Sequence, residues 1–311
     1  SNEEYGEVYG FNLIYSGNHS TVLAMDTANH LRIRQGISPR NFRWDLAPGA
    51  SFATPQSMLG YSACGFGGLS RAYHAFLKAH LMKSAFVFRK RPVLINSWES
   101  FYFDFTEESL LSLARTAKDV GVELFVLDDG WFSKRNSARS SLGDWCESTE
   151  KLPQGLAGFA QKLREIGLDF GLWLEPEMVS LDSDLYRAHP DWIIRIPQAE
   201  PVQYRFQYVL DLTKPEVLDF VQGTVCRILD SVPITYIKWD MNRMISDVPR
   251  PGYVHEYTLA FYRLLSALTE KYPGVLFEGC ASGGGRFDAG LLAYCPQIWP
   301  SDNTDAMMRL K

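Results

Sequence analysis

The chain is poor in cysteine and histidine, and neither is spaced for metal or disulfide chemistry. The five cysteines are odd in number, and no two fall in a Cys-x-x-Cys pair. That pattern reads as reduced thiols in a cytoplasmic protein. The six histidines form no His-x-His or His-Glu-x-x-His spacing, so no metal is expected and all six read as structural or surface residues. There is no basic run, and with a net charge of −5 and a pI near 5.7 no nucleic-acid partner is expected. No apolar run approaches the ~20 residues of a membrane helix, and no signal peptide is recognisable, so no membrane partner is expected either. A Gly-rich turn, Cys280-Ala281-Ser282-Gly283-Gly284-Gly285-Arg286, lacks the Gly-Lys-Ser/Thr ending of a Walker loop and the spacing of a dinucleotide loop. It reads instead as a tight loop that lets backbone approach a ligand, and no cofactor is expected.

What is present is an ordinary globular composition, 46% hydrophobic and 22% charged, that can bury a large core. Residues 1–67 read as β, with short apolar runs Val22–Met25 and Leu31–Arg34 on either side of a turn. Residues 68–91 read as a helical link, because Tyr73, Phe76, Leu77 and Leu81 recur at helical spacing. From 92 to 311, apolar strand-like runs alternate with helical patterns, which implies parallel βαβ units. The runs are 92–98, 123–128, 169–175, 235–240, 275–280 and 298–302, with a weaker one at 209–212.

A doubly wound sheet and a closed (β/α)8 barrel both fit that alternation. Polar and aromatic groups favour the barrel, since they end nearly every strand: Trp98, Asp128-Asp129, Trp173 with Glu175, Asp240, Cys280 and Asp302. In a barrel those ends share one rim, where catalysis takes place. The expected fold is therefore an α/β, TIM-type (β/α)8 barrel. It is preceded by the C-terminal part of an all-β domain and cut short before its last strands. Unpaired strand edges at the break would leave such a chain inactive or poorly stable on its own.

The stretch Thr235-Tyr236-Ile237-Lys238-Trp239-Asp240 carries the sharpest chemistry. Strand alternation puts Lys238 and Asp240 on one face. A cation beside a carboxylate favours the ionised form that a carboxylate nucleophile needs; the same pair could also be a structural ion pair. Asp302 ends another strand, and two carboxylates flanking a pocket are the minimum equipment for glycoside hydrolysis. Asp305 rivals Asp302 as the acid, and helix capping is the alternative for the whole stretch. Asp128-Asp129 could hold sugar hydroxyls or a divalent metal, with metal disfavoured by Lys238 nearby. Trp98 and Trp173 could stack on a pyranose. Glu175 and Glu177 each read as an orienter of a neighbouring catalytic group or as a solvated loop charge, with the solvated reading preferred for Glu177.

Several ordered stretches resemble the family 36 glycoside hydrolases, the melibiase-type α-galactosidases. They are LDDGW (127–131), SLGDW (141–145), GLWLEPEMV (171–179), LDLTKPEV (210–217), KWDMNR (238–243), FEGCASGGGRFD (277–288) and PQIWPSDNTDA (296–306). The resemblance implies retaining hydrolysis of terminal α-galactosides, with Asp240 as nucleophile and Asp302 as general acid/base. It implies that Asp128 and Asp129 hold the galactose 4- and 6-hydroxyls. Lys238, Asn242, Cys280 and Gly283 would contact the sugar, and Trp98, Trp173 and Arg205 would line the pocket. It further implies a homo-oligomer with no metal and no cofactor. Residues 135–138 and Pro300 depart from the family pattern, which bears on outer-subsite specificity. A raffinose-synthase-like transglycosylase and a catalytically dead sugar-binding domain are the alternative readings.

Overall fold

The computed structural model describes residues 1–310. Strands β1 (Val8–Ile14), β2 (His19–Met25), β3 (Leu31–Ile37) and β4 (Gln56–Ser62) form two antiparallel pairs, β1 with β4 and β2 with β3. The β2–β3 pair is the hairpin expected from the sequence. Gly10 and Gly60 face each other across β1 and β4. A Cβ at either would come within 2.7 Å of Leu69 and 2.5 Å of Tyr73 on helix α1 (Gly65–Phe76). The two glycines thus make room for the helix to lie on the sheet. A short π-helical turn, Leu77–Leu81, continues α1.

The remainder is a curled parallel sheet with helices packed on its outside. Its elements are β5 (Leu94–Asn96), α2 (Trp98–Phe101), α3 (Glu107–Asp119), β6 (Leu124–Leu127), α4 (Gly155–Ile166), β7 (Asp169–Leu174), β8 (Met178–Ser180), α5 (Asp184–Ala188), β9 (Gln207–Val209), α6 (Pro215–Ser231), β10 (Tyr236–Trp239), α7 (Tyr253–Lys271), β11 (Leu276–Gly279), α8 (Ala289–Leu292) and β12 (Gln297–Ile298). The sheet order is β12-β11-β10-β7-β6-β5, all parallel, which gives six strands of a (β/α)8 barrel. The weak run at 209–212 is not one of them. Only its first residue is in a strand, β9, which pairs antiparallel with β8 in a separate ribbon, while Leu210 and Leu212 are buried beyond it.

Side-chain alternation divides the barrel in two. Outward-facing Phe170, Leu172, Leu174, Ile237 and Trp239 join the helices in one large core. Helix α7 contributes Phe261, Leu264, Leu265 and Leu268, an i, i+3, i+4, i+7 stripe. Each such leucine, fully buried, contributes about 2 kcal/mol of transfer free energy. Inward-facing Leu124, Val126, Tyr236 and Leu276 form a second, smaller cluster that floors the barrel. Continuing the strand registers upward, Asp128, Trp173, Lys238 and Glu278 lie in the next inward layer, and Glu175, Asp240 and Cys280 above it.

Local chemistry explains the element ends. Thr106 caps α3 in a reciprocal capping box with Ser109, and Glu107 and Glu108 sit in the first turn. The N-terminal strands are tied to the barrel by Ser16, which donates its N–H to the Tyr262 hydroxyl at 2.7 Å and its own hydroxyl to Asp288 at 2.6 Å. His255, buried, lies within hydrogen-bonding distance of the Tyr15 hydroxyl and contacts the rings of Phe42, Trp44 and Phe52. That is a packing role, as the sequence suggested for the histidines.

Candidate active site

Asp240 ends β10 with a buried carboxylate that is fully engaged. Its Oδ2 accepts from the Trp173 indole at 3.0 Å and from the Asn242 amide at 2.7 Å, and its Oδ1 from the Met241 N–H at 2.8 Å. Donors on three sides fix where the oxygens point. Lys238 shares the inward face, as strand alternation requires, but its direct partner is Asp128, at 3.0 Å. Burial alone would lower the Lys238 pKa; the Asp128 and Asp240 carboxylates outweigh it and raise it, so the ammonium is held charged. The expected Lys238–Asp240 pair is thus a through-space interaction, with Asp128 taking the hydrogen bond.

Asp128 also accepts from Asn96 Nδ2, and its own N–H donates to Ser97 Oγ. Asp129 points elsewhere. Arg135 forks onto both its oxygens, at 2.9 and 2.8 Å, in a pair that is almost wholly buried. Burial pushes the Asp129 carboxyl up, and Arg135 opposes it. Removing either partner would strand a buried charge, a loss of about 3–5 kcal/mol in such pairs. Lys151 pins the same loop by donating to the carbonyls of Phe103, Gly130 and Arg135. Sequence reasoning missed Arg135 and Lys151, since neither follows a spacing rule.

Trp173 enters the site through its N–H. The ring is buried and packed near Phe132 and Trp145, so it is not the open stacking wall suggested by its place at a strand end. Trp98 opens α2 instead of ending β5, with its ring edge-on to Tyr102 and Phe103.

A second layer of contacts surrounds Asp240. Arg205 donates to Asn242 Oδ1 at 3.2 Å and to Ser282 Oγ at 3.1 Å, and Ser282 donates to Asn242 Oδ1 at 3.0 Å. Arg205, Phe206 and Ser282 all have left-handed backbone, with φ of 51°, 63° and 47°. Strain of this kind is kept where surrounding contacts over-determine the conformation, commonly at functional sites. Cys280 lies beside Asp240; burial first, then the Asp240 charge, raises its pKa and keeps it a neutral thiol. Gly283 has φ of 84°, and a Cβ there would meet Ser301 Cα at 3.0 Å and the Asp302 nitrogen at 3.3 Å. The Gly-rich turn therefore lies directly against the backbone that carries Asp302.

Asp302 is exposed, beyond β12, with Oδ1 accepting from the Trp299 indole at 2.9 Å. The Lys238 ammonium lies 5.9 Å from the centre of the Trp299 ring, which joins the Asp302 segment to the inner layer. Thr304 reaches Glu99 at 2.8 Å. The rival acid, Asp305, accepts from the Met308 N–H and so caps the start of the last turn.

Glu175 and Glu177 are both buried, so neither is a solvated loop charge. Glu175 Oε1 accepts from Gln207 Nε2 at 2.9 Å and from the Asn242 N–H. Burial, and then the Asp240 charge, push its pKa up to about 8. The proton on Glu175 spares Asp240 a neighbouring like charge. An acid whose folded pKa exceeds its ordinary 4.5 holds a proton that the unfolded chain has lost, so stability falls as pH rises from about 4.5 to about 8. Glu175→Gln keeps the acceptor and cannot ionise. The variant is expected to melt near the wild-type temperature at pH 5 and several degrees above it at pH 8.5. A melting difference independent of pH would contradict the assignment.

Comparison with known proteins follows the same lines. The melibiase family model matches residues 51–311, and the N-terminal domain model of glycosyl hydrolase family 36 matches residues 1–47. The alpha-galactosidase Mel36A of Lactobacillus acidophilus is 47% identical over 100% of this chain and 44% of its own length. Two crystal structures of variants of the alpha-galactosidase AgaA from Geobacillus stearothermophilus, one with stachyose and one with raffinose, superpose with a TM-score of 0.97 at 46% identity. Each is matched over 100% of this chain and 44% of the AgaA chain, so the sequence spans less than half the length of these relatives. With the fold, the ordered motifs and the family model in agreement, the chain belongs to the melibiases, the glycosyl hydrolases of family 36.

Proposed function

We propose that this chain carries the galactose-binding core of a retaining α-galactosidase. The observation that bears most weight is the Asp240 carboxylate, oriented by Trp173, Asn242 and the Met241 N–H beside a charged Lys238–Asp128 pair. The relatives seen with stachyose and raffinose are α-galactosidases. In this reading Asp240 attacks the anomeric carbon while Asp302 protonates the departing glycosidic oxygen. The C–O bond to the aglycone breaks and a galactosyl ester forms on Asp240. Asp302, now ionised, takes a proton from water, which attacks the anomeric carbon of the ester; the anomeric carbon–oxygen bond to Asp240 breaks, freeing galactose and the Asp240 carboxylate. Double displacement calls for the two carboxyl groups to stand ~5–5.5 Å apart once sugar is bound. Lys238 and Asp128 would face the sugar hydroxyls, and the Cys280 thiol and Gly283 turn would close one side.

The reading extends to a homo-oligomer in the cytoplasm, consistent with five free cysteines. Stereochemistry tests its core. The native protein, followed by proton NMR during hydrolysis of an aryl α-galactoside, should release α-galactose first, with the β-anomer appearing only by mutarotation. β-Galactose as the first product would contradict it.

A further inference from the structure

Glu177 is wholly buried and accepts three hydrogen bonds from three different parts of the chain. Its Oε1 accepts from the Trp239 indole at 2.9 Å and from Arg286 Nη1 at 2.8 Å, and its Oε2 accepts from the Tyr257 hydroxyl at 2.9 Å. Trp239 lies on the outer face of β10, against Phe261 of α7, between inward-facing Lys238 and Asp240. Arg286 closes the Gly-rich loop that carries Cys280, Ser282 and Gly283; it is largely buried, and its guanidinium covers the Phe261 ring at 4.5 Å.

These contacts make a closed circuit. From Glu177 it runs through Trp239 to Asp240, the next residue of the chain. From Asp240 it passes to Asn242 at 2.7 Å and on to Ser282 at 3.0 Å. Ser282 belongs to the loop that ends at Arg286, which returns to Glu177. A second link, Cys280 N–H to the Trp239 carbonyl at 2.8 Å, ties loop to strand on the inner side. Trp239 therefore cannot turn on its strand without loss of the Glu177 bond, and the loop cannot lift without stranding Arg286.

We propose that Glu177 is a positioning residue: from the outer face of the barrel it locks the strand bearing Asp240 to the loop bearing Ser282, and so sets the direction of the Asp240 carboxylate. Its link to catalysis rests on Asp240 being the nucleophile. Arg286 is its counter-ion, because Nη1 pairs with the Glu177 carboxylate at 2.8 Å, while among the described residues Nε and Nη2 have no hydrogen-bond partner. Tyr257 anchors the same carboxylate to α7 and lies outside the circuit.

The test uses Glu177→Gln, Arg286→Met, the double variant and Tyr257→Phe in the native protein. The first readout is the indole N–H resonance of Trp173, which bonds Asp240 and reports its position without any substrate. Glu177→Gln and Arg286→Met should each move that resonance, and Tyr257→Phe should not. The second readout is turnover of an aryl α-galactoside. kcat should fall about tenfold or more in both single variants with KM within about twofold, and the double variant should lose little beyond the worse single one. If Glu177→Gln does not fold, Arg286→Met carries the same test. An unmoved Trp173 resonance in folded variants overturns the proposal, whatever happens to turnover. If the resonance moves but the wild type does not cleave galactosides, the coupling stands and the galactosidase reading fails.

Discussion

Asp240→Asn is expected to abolish galactoside turnover, with kcat reduced at least about 10⁴-fold, as when a covalent nucleophile is removed. The substitution is nearly isosteric. An amide oxygen in the Oδ2 position can still accept from Trp173 and Asn242, with only the Met241 bond at Oδ1 lost, so the fold and the inward layer should survive and the loss can be read as chemistry. Asp240→Gly should be equally inactive in buffer. In azide it should regain turnover, since the missing side chain leaves a path to the anomeric carbon. The azide then attacks from the face that Asp240 occupied and the product is β-galactosyl azide. An active Asp240→Asn enzyme, or α-galactosyl azide from the glycine variant, would refute the role.

The second large effect concerns Asp302 and depends on the leaving group. A general acid contributes about 10²–10⁴-fold when the departing oxygen is a poor leaving group. A nitrophenolate leaves without a proton, whereas the sugar alkoxide of melibiose does not. Asp302→Ala should therefore lose kcat/KM on melibiose far more heavily than on a nitrophenyl galactoside. Using kcat/KM confines the comparison to the bond-breaking half of the reaction, where the proposed acid role of Asp302 falls. Equal losses on the two substrates would move the role to another group. Asp305 is a poor replacement, because its carboxylate caps the final turn.

The elements legible in the sequence were those with local causes. Thr106 followed by two acids announces the start of α3, and the structure adds the reciprocal Ser109 bond. The stripe through Phe261, Leu264, Leu265 and Leu268 announces α7. The run before Asp240 announces β10, and its alternation correctly puts Lys238 and Asp240 on one face. What was not legible depends on partners far along the chain. Glu-Pro-Glu after a strand leaves an orienter and a solvated charge both open, because the partners of Glu177 lie 62, 80 and 109 residues away. Lys238 finds Asp128 across 110 residues. Asp129 and Trp173 both looked like sugar contacts from their place at strand ends. Trp173 turns its indole N–H to Asp240, 67 residues on, while the Asp129 clamp, Arg135, is only six residues away but follows no spacing rule. The run at 209–212 has strand composition, but composition cannot say which sheet a strand joins. There the rim ribbon with β8 took the first residue and the barrel took none.

Double displacement requires a covalent bond between the sugar and Asp240. The direct measurement is peptide mass spectrometry of the native protein after incubation with a fluorinated, activated α-galactoside that forms the glycosyl ester quickly and loses it slowly. The predicted result is one sugar unit on the peptide containing Asp240, absent from Asp240→Asn. A sugar on a different carboxylate, or steady turnover with no adduct at all, would contradict it.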